Sequence, residues 1–187
     1  MTTTRDRLRE EAFENHGYIR RSEALRNGAS PAALDMLVTR GALERSAHGV
    51  YRDPVVPPTE HDELHLAVLW TGVDTACLSH ETALALYELS DLIPDRIHVT
   101  IPRKHRIRRR GGDRYQVHHE DLLQRQIGWA EQIPTVDPAT AIAQCIDYGT
   151  PTYLLRQAID QALGTGRLTA PVADNLRQVL ERRERRH

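Results

Sequence analysis

"GYIRRSEALRNGASPAALDMLVTRGALERSAHGVYR", residues 17–52, is the stretch on which the fold turns. Ser30-Pro31 opens a helix, with serine as cap and proline in the first turn, where its missing N–H costs nothing. The helix runs to Arg40-Gly41, and its apolar positions, Leu34, Leu37 and Val38, are three and four apart, so one face seats on something else. Ala32, Asp35, Met36, Thr39 and Arg40 then point outward. Upstream, Ser22 is expected to cap a short helix through Ala24 and Leu25, closed by Asn27-Gly28. Before that, a first helix is expected from about Arg5 to Asn15, stopping at His16-Gly17. Downstream, "ALER", the turn "SAHG" and "VYR" read as a β-hairpin.

Three helices followed by a two-stranded wing make a winged helix-turn-helix. In that geometry the third helix enters the major groove of DNA, and the wing touches backbone or minor groove. The candidate contacts are Ser30, Ala32, Met36, Thr39 and Arg40 on the helix, with Arg20, Arg21, Arg45, His48 and Arg52 gripping phosphate around it. Asp35 on the same face repels phosphate. A winged helix serving only protein contacts is the alternative.

The chain has 187 residues, with 40% hydrophobic and 27% charged side chains, as expected of a globular protein. Its polar start and short apolar runs predict neither a secretory signal nor a membrane span, so the expected location is the cytoplasm. Cys77 and Cys145 stand in apolar surroundings and are expected to be buried free thiols.

The net charge of −1 conceals blocks of opposite sign: residues 54–95 carry −8 and residues 96–119 carry +7. The positive block centres on "RKHRIRRRGGDR", residues 103–114. "RIHVTI" before it and "YQVHH" after it alternate as strands do, so this run is expected to join two antiparallel strands, with Gly111-Gly112 at the turn. Arg103, Lys104, Arg106, Arg108, Arg109, Arg110 and Arg114 would release counterions on meeting a phosphate backbone. A solvated loop and a partner's acidic surface are the rival readings.

Residues 54–59, "PVVPPT", read as a linker. The expected division is a winged-helix domain over 1–53, the linker, and a second domain over 60–187. That second domain reads as helices before and after a small antiparallel sheet, which makes the whole chain α+β. Helices are expected from about Glu60 to Thr71 with Thr59 as cap, after Ser79, after Asp137-Pro138, after Thr150-Pro151, and from about Ala170.

Residues 17–52 resemble the N-terminal winged helix of AbiEi-type antitoxins, with a recognition helix ending in Arg40-Gly41 and a hairpin closing on Gly49-Val50-Tyr51-Arg52. "LSHETALALYELSDLIPDRIHVTIPR" and "IPTVDPATAIAQCIDYG" resemble the antitoxin region that follows it. The resemblance implies the antitoxin of a type IV toxin–antitoxin pair. Such a protein binds inverted repeats in its own promoter, represses its operon and opposes a nucleotidyltransferase-type toxin. An ordinary regulator with a ligand- or partner-sensing second domain is the alternative function.

No active site, metal or cofactor is expected from the residues. "HDELH", residues 61–65, places His61 and His65 one turn apart, but Asp62 replaces the general-base glutamate and no third ligand is recognisable. Neighbouring His118 and His119 in a strand face opposite ways. Pro94-Asp95 is followed by Pro102-Arg103-Lys104, with proline where a nuclease needs its second carboxylate. Ser79 beside His80 is better read as a helix cap than as a nucleophile. Gly164 and Gly166 form no phosphate loop.

Overall fold

A computed structural model describes residues 3–185. It is α+β and divides into two compact units. Residues up to Asp74 together with Ile107–Gly111 form the first; Thr75–Arg106 and Gly112 onward form the second.

In the first unit, α1 (Thr4–Glu14) starts at a capping box in which Thr3 and Asp6 exchange bonds. Strand β1 (Tyr18–Arg20) leads into α2 (Arg21–Arg26), then α3 (Pro31–Thr39), β2 (Glu44–Ala47) and β3 (Val50–Arg52). The strands form an antiparallel sheet of order β1-β3-β2, with a bulge between Arg45 and Ala47. Ser30 caps α3 as expected, its hydroxyl accepting from the Ala33 amide at 3.1 Å. Ser22 does not cap α2: the cap position is Arg20, because β1 carries the chain straight into the helix. Leu8, Ala12, Ile19, Ala24, Leu34, Leu43, Tyr51 and Val56 close the core, with Leu37 and Val38 half-buried against it.

This unit extends beyond the expected linker. Helix α4 (Asp62–Thr71) belongs to it, with Leu69 packed on Tyr18 and Val50 and Asp62 paired to Arg52 at 3.1 Å. Thr59 acts ahead of the helix by bonding the Asp62 carboxylate at 2.7 Å, while His61 occupies the cap position. The prolines at 54, 57 and 58 thus punctuate one unit; the apolar side of α4 needs the winged helix for its burial.

The second unit is built on a mixed sheet of order β6-β5-β4-β8-β7, formed by β4 (Cys77–Leu78), β5 (Ile97–Ile101), β6 (Tyr115–His119), β7 (Ile127–Ala130) and β8 (Ile133–Val136). Strands β5 and β6 run parallel, with Ile97 opposite Tyr115 and Ile101 opposite His119. Residues 102–114 are therefore a crossover and not the expected hairpin; parallel neighbours need a connection of about a dozen residues. Helices α5 (His80–Leu86), α6 (Pro138–Tyr148), α7 (Thr152–Gly164) and α8 (Ala170–Glu184) complete the unit. Asp137 caps α6, and its carboxylate accepts from the Thr140 amide at 3.0 Å. The core joins Leu84, Leu89, Ile142, Leu155, Ile159, Leu176 and Leu180. Cys77 and Cys145 are buried and unbridged, and burial pushes both thiols up to about 12. Among the described residues no helix is long and apolar enough to cross a membrane.

Candidate nucleic-acid interface

The turn between α2 and α3 closes through Gly28 at φ +89° and a bond from the Ala29 amide to the Ala24 carbonyl. Leu34 is fully buried beneath α3, which leaves Ala32, Asp35, Met36, Thr39 and Arg40 exposed along one face. Ser30 is exposed at the start of that helix and Arg40 at its end. The Thr39 hydroxyl donates back to the Asp35 carbonyl at 2.9 Å. Asp35 is paired with Arg45 of the wing at 2.7 Å. Both side chains are more than half exposed, so the pair adds under about 1 kcal/mol of stability. Its effect is on charge: Arg45 offsets the carboxylate of Asp35 on the exposed face of α3. Arg45 also lies 6.0 Å from the Tyr51 ring centre.

The supporting cations divide. Arg21 is exposed at the start of α2, where its amide bonds the Gly49 carbonyl of the wing at 2.8 Å, and His48 is exposed at the wing's tip. Arg20 and Arg52 are occupied inside the unit. Arg20 pairs with Asp74 at 2.8 Å, and Arg52 donates both to the Val56 carbonyl and to Asp62. Their role here is to fasten β1 and β3 to the segment beyond the wing.

The arginine run splits in the same way. Its centre, residues 107–111, is part of the first unit. The Arg109 guanidinium donates to the Trp70 carbonyl at 2.8 Å and to the His48 carbonyl at 3.3 Å. Trp70 Nε1 returns a bond to the Arg110 carbonyl at 2.9 Å. Gly72 ends α4 at φ +67° directly against Arg109, where any β-carbon would overlap the guanidinium. So Arg109 is an anchor, and Arg108 and Arg110 on either side are exposed. Arg103, Lys104, Arg106 and Arg114 belong to the second unit and are exposed. Arg106 bonds the carbonyls of Arg103 and His105, which stiffens that turn.

Comparison with known proteins bears on this unit directly. Residues 6–52 match the family model described as "Transcriptional regulator, AbiEi antitoxin". Over that stretch the winged helix is similar to AbiEi-type regulator domains. The AbiEi match begins within α1, ends with β3 and stops before α4. It supports a role in antitoxin-type transcription regulation. Among solved structures, the RV2827C protein from Mycobacterium tuberculosis shares the fold, with a TM-score of 0.54 and 14% identity over 94% of this chain and 72% of that one. No curated protein matches the chain.

The "HDELH" helix has a different occupation from the one its spacing suggests. His65 is buried, edge-on to His16 at 5.1 Å and Tyr18 at 5.9 Å, and among the described residues its Nδ1 has no hydrogen-bond partner. Burial, with the charges of His16 and Arg20 against the weaker opposing pull of Asp62, lowers its pKa to about 4. Below pH ~6.5 the unfolded chain therefore takes up a proton at His65 that the folded chain refuses until about pH 4. Stability contributed by the neutral ring is intact above pH ~6.5 and falls as pH drops toward 4, by at most about 3 kcal/mol. Replacing His65 by Leu is expected to flatten this acid limb. The check is the difference in urea midpoint between pH 7.5 and pH 5, and an equal difference in both proteins would contradict the assignment.

Proposed function

We propose that this protein is the DNA-binding antitoxin of a type IV toxin–antitoxin pair, repressing its own operon and opposing a nucleotidyltransferase-type toxin. The observation that carries the DNA-binding part is the docking of residues 107–111 on the regulator domain. Arg109 is held by the wing carbonyl of His48, so exposed Arg108 and Arg110 join the same unit as the recognition helix. In this reading α3 supplies base contacts through Thr39, Arg40 and Met36, while Arg21, His48, Arg108 and Arg110 take phosphates. Arg103, Lys104, Arg106 and Arg114 supply further cations to DNA or to an acidic partner. Inverted repeats upstream of the gene are the target, and the reaction with the toxin is a protein-level opposition without catalysis by this chain.

The test is a mobility shift on the DNA upstream of the protein's own reading frame, against a scrambled duplex of equal length at physiological salt. Tighter binding to the natural sequence is expected, by the 10³-fold or more typical of specific readers. Equal binding to both duplexes would remove the repressor role. A second reading, a regulator whose second unit senses a small ligand, is favoured by a cavity of about 630 Å³ lined by His80, His118, Glu120, Gln144 and Tyr148. Operator binding that changes with a metabolite, with no toxin gene beside this one, would favour it.

A further inference from the structure

The second unit brings together three histidines that are far apart in sequence. His80 opens α5, His98 sits in β5 and His118 in β6. In the parallel pairing His98 stands opposite Gln116 and Thr100 opposite His118, so the two histidines share one face of the sheet as diagonal neighbours. His98 Nδ1 and His118 Nε2 are 3.0 Å apart. The His80 ring stacks on His118 with centres 3.5 Å apart. One nitrogen from each ring lies within 4.8 Å of the other two.

Several features are costly unless the cluster has a use. His80 holds φ +49°, a left-handed backbone that non-glycine residues adopt rarely and that concentrates at functional sites. His80 and His98 are buried and His118 is half-buried, so the three rings sit largely out of water. The 3.0 Å His98–His118 contact places one N–H between those two nitrogens, and a metal ion taking its place requires that ring to shift its proton to its other nitrogen.

One outer contact, from Ser79, reaches a ring nitrogen at hydrogen-bond distance, as the partners that orient ligating imidazoles do. Ser79 Oγ lies 3.0 Å from His80 Nδ1, which leaves Nε2 of that ring available. Glu81 Oε2 lies 3.8 Å from His98 Nε2, on the side away from the His98–His118 contact, and its other oxygen accepts from Thr150 at 2.7 Å. Gln144 holds the His80 amide at 3.2 Å and donates to Glu120 at 2.6 Å. Tyr148 stands edge-on to all three rings.

We propose that His80, His98 and His118 bind one divalent transition-metal ion of the zinc class, with the fourth position opening into the adjoining cavity. Bonds of about 2.0–2.1 Å at a tetrahedral angle put two nitrogens roughly 3.3 Å apart, close to the spacing already present between His98 and His118. His80 turns out of its stack to complete the set. Three imidazoles select zinc, copper, nickel or cobalt over magnesium or calcium, which take oxygen ligands. The cavity of about 630 Å³ is lined by His80 and His118 themselves, so the open position faces a space large enough for a small anionic or polar ligand. The metal titration and the mobility shift have separate readouts, so failure of one leaves the other to be measured.

The experiment uses the untagged full chain stripped with chelator. Zinc is titrated calorimetrically, and cobalt is added as a spectroscopic probe of coordination. One equivalent is expected, with the intense visible bands of four-coordinate cobalt. Zinc is also expected to raise the melting temperature of the wild type. His118→Ala, at a half-buried position, and His98→Gln are expected to lose both the bands and the zinc-dependent shift while keeping a cooperative melt. His61→Ala is expected to keep them. Absence of stoichiometric binding to the wild type would overturn the proposal, as would binding that survives both cluster variants. Should a cluster variant fail to fold, the wild-type cobalt spectrum still decides: octahedral, weakly absorbing cobalt overturns it.

Discussion

Leu34→Ala is expected to destabilise the regulator domain by about 2–5 kcal/mol, the usual cost of truncating a leucine in a closed core. Leu34 is fully buried and is the residue that seats α3 on α1 and α2; Leu37 and Val38 are only half-buried beside it. Loss of its side chain leaves a cavity under α3, so both stability and the proposed DNA binding are expected to fall together. Urea unfolding followed beside mobility shifts checks this. A loss below about 1 kcal/mol would mean that α3 is not held through this contact.

The second large effect concerns Arg108 and Arg110. Replacing both with Ala is expected to reduce the slope of log affinity against log salt by about 2, since each phosphate neutralised contributes about 0.9. Near 0.1 M salt the same change corresponds to roughly a hundredfold weaker binding. Sequence preference is expected to persist, because phosphate contacts position and base contacts specify. Arg109 is left in place, as its bonds to Trp70 and His48 moor the segment and its loss would confuse unfolding with lost charge. An unaltered slope would exclude residues 107–111 from the DNA interface.

The winged helix was legible because its signals are local: Ser30-Pro31, the 3-and-4 spacing of Leu34, Leu37 and Val38, and the turn before Val50 each act within a few residues. The second unit was less legible for three physical reasons. Strand β4 is two residues long, too short to alternate. The β7–β8 hairpin turns at Glu131 and Gln132, with φ of 48° and 61°, where Asn-Gly would ordinarily announce the turn. Gly111-Gly112 suggested a hairpin, whereas the direction of β6 is set by its long-range pairing with β5.

The candidate site divides along the same line. Residue type identified Arg20, Arg45 and Arg52 as cations, but their acidic partners, Asp74, Asp35 and Asp62, are fixed by folding. Neighbouring His118 and His119 do diverge, as a strand requires, with His119 exposed. What sequence spacing could not reveal is that His118 would find His98 across the sheet and His80 above it.

The excursion of residues 107–111 into the first unit means the peptide passes from one unit to the other three times, after Asp74, after Arg106 and after Gly111. No single cut liberates either half intact. Severing the chain at residue 74 takes away the carbonyl that Trp70 Nε1 bonds and the arginine that sits on Gly72. Exchange of modules is thereby constrained: the winged-helix unit cannot be moved as a simple N-terminal cassette without carrying five residues from the middle of its neighbour.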